Sequence, residues 1–142
     1  MKEIYLDHAS TTYVRDEVLG IMNKYFQDEY GNPGSFHTIG LRPKRAMAKA
    51  RELVRDIINA KRVEEIIFTG SGTESVNLAI KGITEKYDTG HIIISTIEHE
   101  AVTETLYYLE HTKGWDVTKV PVDKYGLVNP KDVEDAIRPD TK

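Results

Sequence analysis

The sequence predicts an α/β fold whose mostly parallel sheet is flanked by helices, and three observations carry that reading. From Glu65 onward, strand-like and helix-like stretches alternate, the order that builds a parallel sheet. His91–Ser95 is a continuous run with three isoleucines at its centre, the pattern of a strand buried on both faces. Several longer stretches repeat their apolar residues at helical spacing.

Taken in order, Ile4–Leu6 reads as a short extended piece before a polar turn over Asp7–Thr12. Residues 1–14 are thus an extended N-terminal segment, and the domain proper starts at 15. A first helix is expected from Arg15 to Asp28, because Val18, Leu19, Met22, Tyr25 and Phe26 make one apolar stripe. Gly31-Asn32-Pro33-Gly34-Ser35 must break it. A second helix is predicted from Pro43, in its first turn, to Ile58. Ala46, Ala50, Leu53, Val54, Ile57 and Ile58 recur at helical spacing there, with Arg, Lys and Glu on the other face.

Glu65–Thr69 is expected as a short strand, feeding a glycine-spaced turn and then a helix from Thr73 to Tyr87. Val76, Ala79, Ile80, Ile83 and Tyr87 fall on one side of that helix. After the His91–Ser95 strand comes a helix over Glu100–His111, stopped at Gly114. Trp115–Val122 is strand-like, and Asn129-Pro130 starts a last helix that ends near Arg138-Pro139.

Composition narrows the function. The 142 residues are 39% hydrophobic and 30% charged with a net charge of -4, ordinary for one globular domain. No basic stripe suggests nucleic acid, no apolar run approaches a membrane span, and the N-terminus lacks the segments of a signal peptide. A cytoplasmic protein is expected. The absence of cysteine removes disulfides, thiolate metal sites and a cysteine nucleophile together.

Chemistry concentrates in two places. In Phe68-Thr69-Gly70-Ser71-Gly72-Thr73-Glu74-Ser75-Val76-Asn77, a helix N-terminus would aim unpaired N–H groups and hydroxyls at one small volume. Orphan donors and the helix dipole both favour a phosphate there. The Gly-Lys-Ser/Thr ending of a nucleotide-binding loop is missing. Ser71 followed by Glu74 also spells a capping box, which needs no ligand, although a plain cap does not require glycines on both sides of Ser71. The second place is His99, just past the buried strand, which reads either as a helix-cap or surface group or as a site residue. Glu98-His99-Glu100 does not make a metal site, because consecutive side chains fan around a helix. His8 and His37 follow turns and could fold over the same rim or simply face solvent; His91 and His111 look peripheral. Ligands in such folds gather at the carboxyl ends of strands, where the Gly70–Thr73 and Thr96–His99 turns are both expected.

Four spaced segments together resemble the NifS/IscS-like cysteine desulfurases, in the class V aminotransferase group of fold-type-I pyridoxal-phosphate proteins. They are Tyr5–Thr12, Tyr30–His37 with its Gly-Asn-Pro form, Ile67–Gly82 and Glu98–Val102, and they span nearly the whole chain. The resemblance implies that Gly72 and Thr73 bind the phosphate of pyridoxal 5'-phosphate. It implies that His99 stacks on the pyridine ring and assists proton transfer. The Asp7–Thr12 and Asn32–His37 segments match loops at the substrate entrance and the dimer contact. The implied reaction converts L-cysteine to L-alanine and leaves the sulfur as a persulfide on an enzyme cysteine. From there it passes to a sulfur acceptor or iron–sulfur scaffold protein, and the full-length form is a homodimer.

The family's Schiff-base lysine, in a Ser-x-His-Lys motif, has no match here, nor does the persulfide cysteine. Residues 15–142 are therefore expected to be the N-terminal part of the cofactor-binding domain. Its first and second strands should not pair, central strands are missing from this chain, and the chain alone should be inactive. Two rivals stay open: another class V enzyme, such as a selenocysteine lyase or an aminotransferase, and a non-catalytic half-protein that needs a separate partner.

Overall fold

In the computed structural model, which describes residues 3–142, the chain divides into two units, one up to Ile67 and one from Phe68 to Lys142. Among these residues no helix is long and apolar enough to cross a membrane.

The first unit holds two helices. α1, Asp16–Gln27, opens with Asp16 and Glu17 and closes with Lys24, charges that suit the dipole at each end. Its apolar stripe exists, but only Tyr25 is half-buried; Val18, Leu19, Met22 and Phe26 are exposed. α2, Thr38–Ile57, starts five residues before the expected position, so Pro43 lies inside the helix rather than in its first turn. The start is local: His37 Nδ1 accepts from the Gly40 N–H at 3.4 Å. Proline at 43 has no N–H for the Ile39 carbonyl, and Gly31 packs its bare Cα against that same carbonyl. Gly40 in turn lies so close to Asn32 and Ser35 that neither glycine leaves room for a Cβ. The loop between the helices is tied by Asn32, whose side-chain oxygen accepts from Gly34 at 2.8 Å.

The strand expected over Glu65–Thr69 does not form. Val63–Glu65 is a 3-10 turn instead, and residues 66–69 pair with no strand among the described residues. The backbone of Glu65 and Ile66 is spent on the turn, donating to Arg62 and Val63. The Glu65 carboxylate accepts from the Arg62 guanidinium at 3.2 Å and the Lys61 N–H at 3.1 Å. Those contacts, the Arg62 hydrogen bond foremost, hold its carboxyl below the ordinary glutamate value.

The second unit follows its reading closely. β1, His91–Ser95, and β2, Asp116–Val120, are parallel, with His91 opposite Asp116 and Ser95 opposite Val120. α4, Glu100–Lys113, makes the crossover that a parallel pair requires. It ends at Gly114, where φ of 68° is the left-handed conformation that glycine adopts without cost. Alternation along β1 sends Ile92 and Ile94 onto the core of Leu106, Leu109 and Trp115, joined by Ile80, Val102 and Val117. Ile80 belongs to α3, Gly72–Thr84, which packs beside α4. α5, Pro130–Ala136, has Asn129 as its N-cap and Pro130 in its first turn, and it packs on β2.

His91 is far from peripheral: it has no solvent exposure. Its Nε2 meets the Thr118 hydroxyl and its Nδ1 the Thr141 hydroxyl, each at 2.7 Å. The backbone around it donates and accepts in the same place: His91 N–H to Asp140, and Lys142 N–H to His91, which makes a parallel bridge to Thr141. One imidazole thus ties both strands to the segment that follows α5. A buried polar ring is tolerated only when both nitrogens are partnered, and here they are.

Candidate functional site

α3 begins at an unusually open N-terminus. Ser71 is the N-cap, and its hydroxyl accepts from the Glu74 N–H at 3.1 Å. Glu74 reaches back, but to the Gly70 N–H at 2.7 Å rather than to the cap residue itself. Ser75 N–H bonds to the Ser71 carbonyl, and the Thr69 and Ser75 hydroxyls meet at 2.6 Å. The N–H groups of Gly72 and Thr73, with the Thr73 hydroxyl, have no acceptor among the described residues, and both residues are exposed. The Ser71 N–H has no acceptor among the described residues either. Nothing lies within 4 Å of where a Gly72 Cβ would stand, and its φ is not positive. Neither backbone strain nor packing accounts for glycine at 72.

His99 caps α4 in a similar way. Its Nδ1 accepts from the Ala101 N–H at 3.0 Å, while Nε2 has no partner among the described residues. The turn leading to it is held by Ser95, whose hydroxyl donates to Glu98 at 2.7 Å and accepts from the Ile97 N–H at 3.4 Å.

The two N-termini open at the same end of this unit. Lys81 Nζ lies 5.3 Å from the Tyr108 ring centre, and Thr84, the last residue of α3, shares a cleft with Leu109 and Lys113 at the end of α4. Both observations fit helices running in the same direction. Thr73 then lies about 12 Å back along α3 and His99 about 13 Å back along α4, level with each other. Both point their dipoles' positive ends past the carboxyl end of β1, where anions are favoured. Two free N–H groups and a hydroxyl at a helix start suit a phosphate, and a flat imidazole can cover an aromatic ring, so the residue types present fit pyridoxal 5'-phosphate.

His8 and His37 belong to the first unit and are local fixtures. His8 Nδ1 pairs with the Thr12 hydroxyl at 3.0 Å and its ring stands edge-on to Tyr5; His37 is the cap of α2. His111 is exposed and bonds to the Tyr107 carbonyl at 2.8 Å. The sequence carried no signal for the Nδ1 caps, because His is not among the common capping residues.

Comparison with known proteins gives this geometry a family. The model of the family described as aminotransferase class-V matches residues 4–142. Cysteine desulfurase IscS of Dictyoglomus turgidum is 44% identical over 99% of this chain and 36% of its own length. The IscS of Methanosarcina thermophila is 47% identical over 99% of this chain and 35% of its own. Among solved structures, a NifS-like protein superposes with a TM-score of 0.87 at 40% identity, covering 93% of this chain and 36% of that one. A structure described as SspA in complex with cysteine reaches 0.90, also at 40% identity, covering 96% and 40%. The chain spans about a third of the length of the curated relatives it matches. It belongs to the class V aminotransferase family, which is pyridoxal-phosphate-dependent, and carries part of that α/β fold.

Proposed function

We propose that this chain supplies the coenzyme-phosphate and ring-covering elements of a pyridoxal-phosphate-dependent cysteine desulfurase. The reaction is conversion of L-cysteine to L-alanine with the sulfur handed to an acceptor protein, in a cytoplasmic homodimer of the full-length form. The substrate follows from the cysteine named with one structural neighbour and from the desulfurase names of the curated relatives. When bound, the coenzyme supplies an electron-withdrawing ring to the amino-acid carbon. Gly72 and Thr73 hold the phosphate through two N–H groups and a hydroxyl, and His99 covers the ring. The chain has no cysteine and so cannot itself carry a persulfide; alone it does not turn over L-cysteine.

The observation that carries the reading is the pair of unengaged N–H donors at Gly72 and Thr73. Gly72→Pro tests it cleanly. Gly72 is the first residue of α3, where proline is welcome, so the helix survives while one donor disappears. Losing one hydrogen bond to a charged group weakens binding about tenfold or more. Calorimetry with pyridoxal 5'-phosphate should record that loss, and pyridoxal without its phosphate should bind both forms alike. Equal affinity of both forms for the phosphorylated ligand sinks the proposal.

A further inference from the structure

The Ser71 carbonyl collects more donors than its two lone pairs can take. The Ser75 N–H donates to it at 3.1 Å, the first bond of the α3 ladder. The Thr69 hydroxyl lies 3.0 Å away and the Ser75 hydroxyl 3.3 Å. Thr69 and Ser75 also meet each other at 2.6 Å, and two hydroxyls have only two protons between them. One of them therefore donates to the other, and the second donates to the carbonyl. The shorter distance gives the carbonyl to Thr69, with Ser75 donating to Thr69. Thr69 is half-buried and lies before the turn, so its hydroxyl holds the N-cap carbonyl from outside the helix.

We propose that Thr69 is a positioning residue of the anion site and acts through the Ser71–Gly72 peptide. That unit is trans and planar, so its C=O and N–H point in opposite directions. Fixing the carbonyl on Thr69 and Ser75 aims the Gly72 N–H away from the turn, where it has no acceptor among the described residues. A carbonyl that accepts hydrogen bonds also polarises its own peptide, which strengthens the N–H as a donor. Thr69 thus orients and strengthens the Gly72 donor without touching the ligand. The Thr73 N–H belongs to the next peptide and does not share that carbonyl.

The other polar groups of the turn do not replace Thr69. The Ser71 hydroxyl accepts from the Glu74 N–H, and the Glu74 carboxylate holds the Gly70 N–H. Ser75 reaches the carbonyl only from within its own helix. A valine at 69 keeps the branched shape and loses the hydroxyl; a serine keeps the hydroxyl and loses the methyl.

The role rests on the coenzyme reading above, and the experiment separates the two. The whole chain is titrated calorimetrically with pyridoxal 5'-phosphate and with pyridoxal. Thr69→Val should weaken binding of the phosphorylated ligand about fivefold and leave pyridoxal unchanged, and Thr69→Ser should restore the wild-type affinity. In the Gly72→Pro background, which has no N–H to aim, Thr69→Val should cost nothing further. A general loosening of the turn would weaken binding in both backgrounds, and that result overturns the proposal. A wild-type chain that does not favour the phosphorylated ligand strikes down the coenzyme reading and this role together. A preference that survives Thr69→Val strikes down the role alone. The bond itself is read without coenzyme. The Ser71 carbonyl carbon-13 resonance should move upfield in Thr69→Val and return in Thr69→Ser; a resonance unmoved by Thr69→Val also overturns the proposal.

Discussion

The two units of this chain are built on different principles. Beyond Phe68, side chains make a core: Leu106, Leu109, Trp115 and Val120 are each no more than 4% exposed, and a buried histidine is satisfied at both nitrogens. Among the described residues up to Ile67, apart from Ile66, the buried ones are Gly40 and Pro43, neither of which has much side chain to bury. Its two amphipathic helices keep their apolar stripes largely in solvent, with Ile57 82% and Phe26 68% exposed. What organises it is close approach of backbone at Gly31 and Gly40. Among the described residues, apolar packing is plain in the second unit, and close backbone approach at Gly31 and Gly40 in the first.

Substitutions can break or sharpen that contrast. The largest effect is expected for Leu106→Ala, at 1% exposure, which should cost about 2–5 kcal/mol in chemical denaturation followed by Trp115 fluorescence. Its counterpart in the first unit, Ile57→Ala, should stay within about 0.5 kcal/mol. Comparable losses at both positions would dissolve the distinction. Next comes Gly40→Ala. Its new methyl meets Asn32 and Ser35, so overpacking should cost about 1–3 kcal/mol, read as faster amide exchange over the start of α2. Exchange unchanged there would mean that the loop simply moves aside. The smallest effect belongs to Gly114→Ala. Nothing crowds that site, so the left-handed backbone alone sets a cost of about 1 kcal/mol on the same denaturation curve. A full methylene-sized penalty beyond this would point to packing that the open surroundings of Gly114 do not provide.

Much of the second unit was legible because its signals are short-range. The isoleucine run marked β1 to the residue, Gly114 stopped α4, and Asn129-Pro130 opened α5. Each depends on atoms within a few residues, where capping and periodicity act. The α2 start was misread for an equally local reason: Pro43 resembles a first-turn proline, yet the His37 cap sets the helix off five residues earlier. The Glu65–Thr69 strand failed differently. Apolar residues there satisfied the pattern, but a strand exists only through a partner, and a turn claimed the backbone first.

The candidate site divides along the same line. Gly72, Thr73 and His99 could be picked out as residues worth watching, because a glycine-spaced helix start and a histidine after a buried strand are visible in one dimension. That the two helix starts lie level came only from how α3 packs on α4. The burial of His91 is also tertiary, since its hydroxyl partners Thr118 and Thr141 are 27 and 50 residues away.

By itself, then, the sequence determined where helices begin and end, which faces are apolar, and which donors a turn leaves over. These follow from backbone geometry repeated every few residues. Only the tertiary structure settled which strands pair and which histidine is buried. Each of those depends on a partner whose position in space no local spacing encodes.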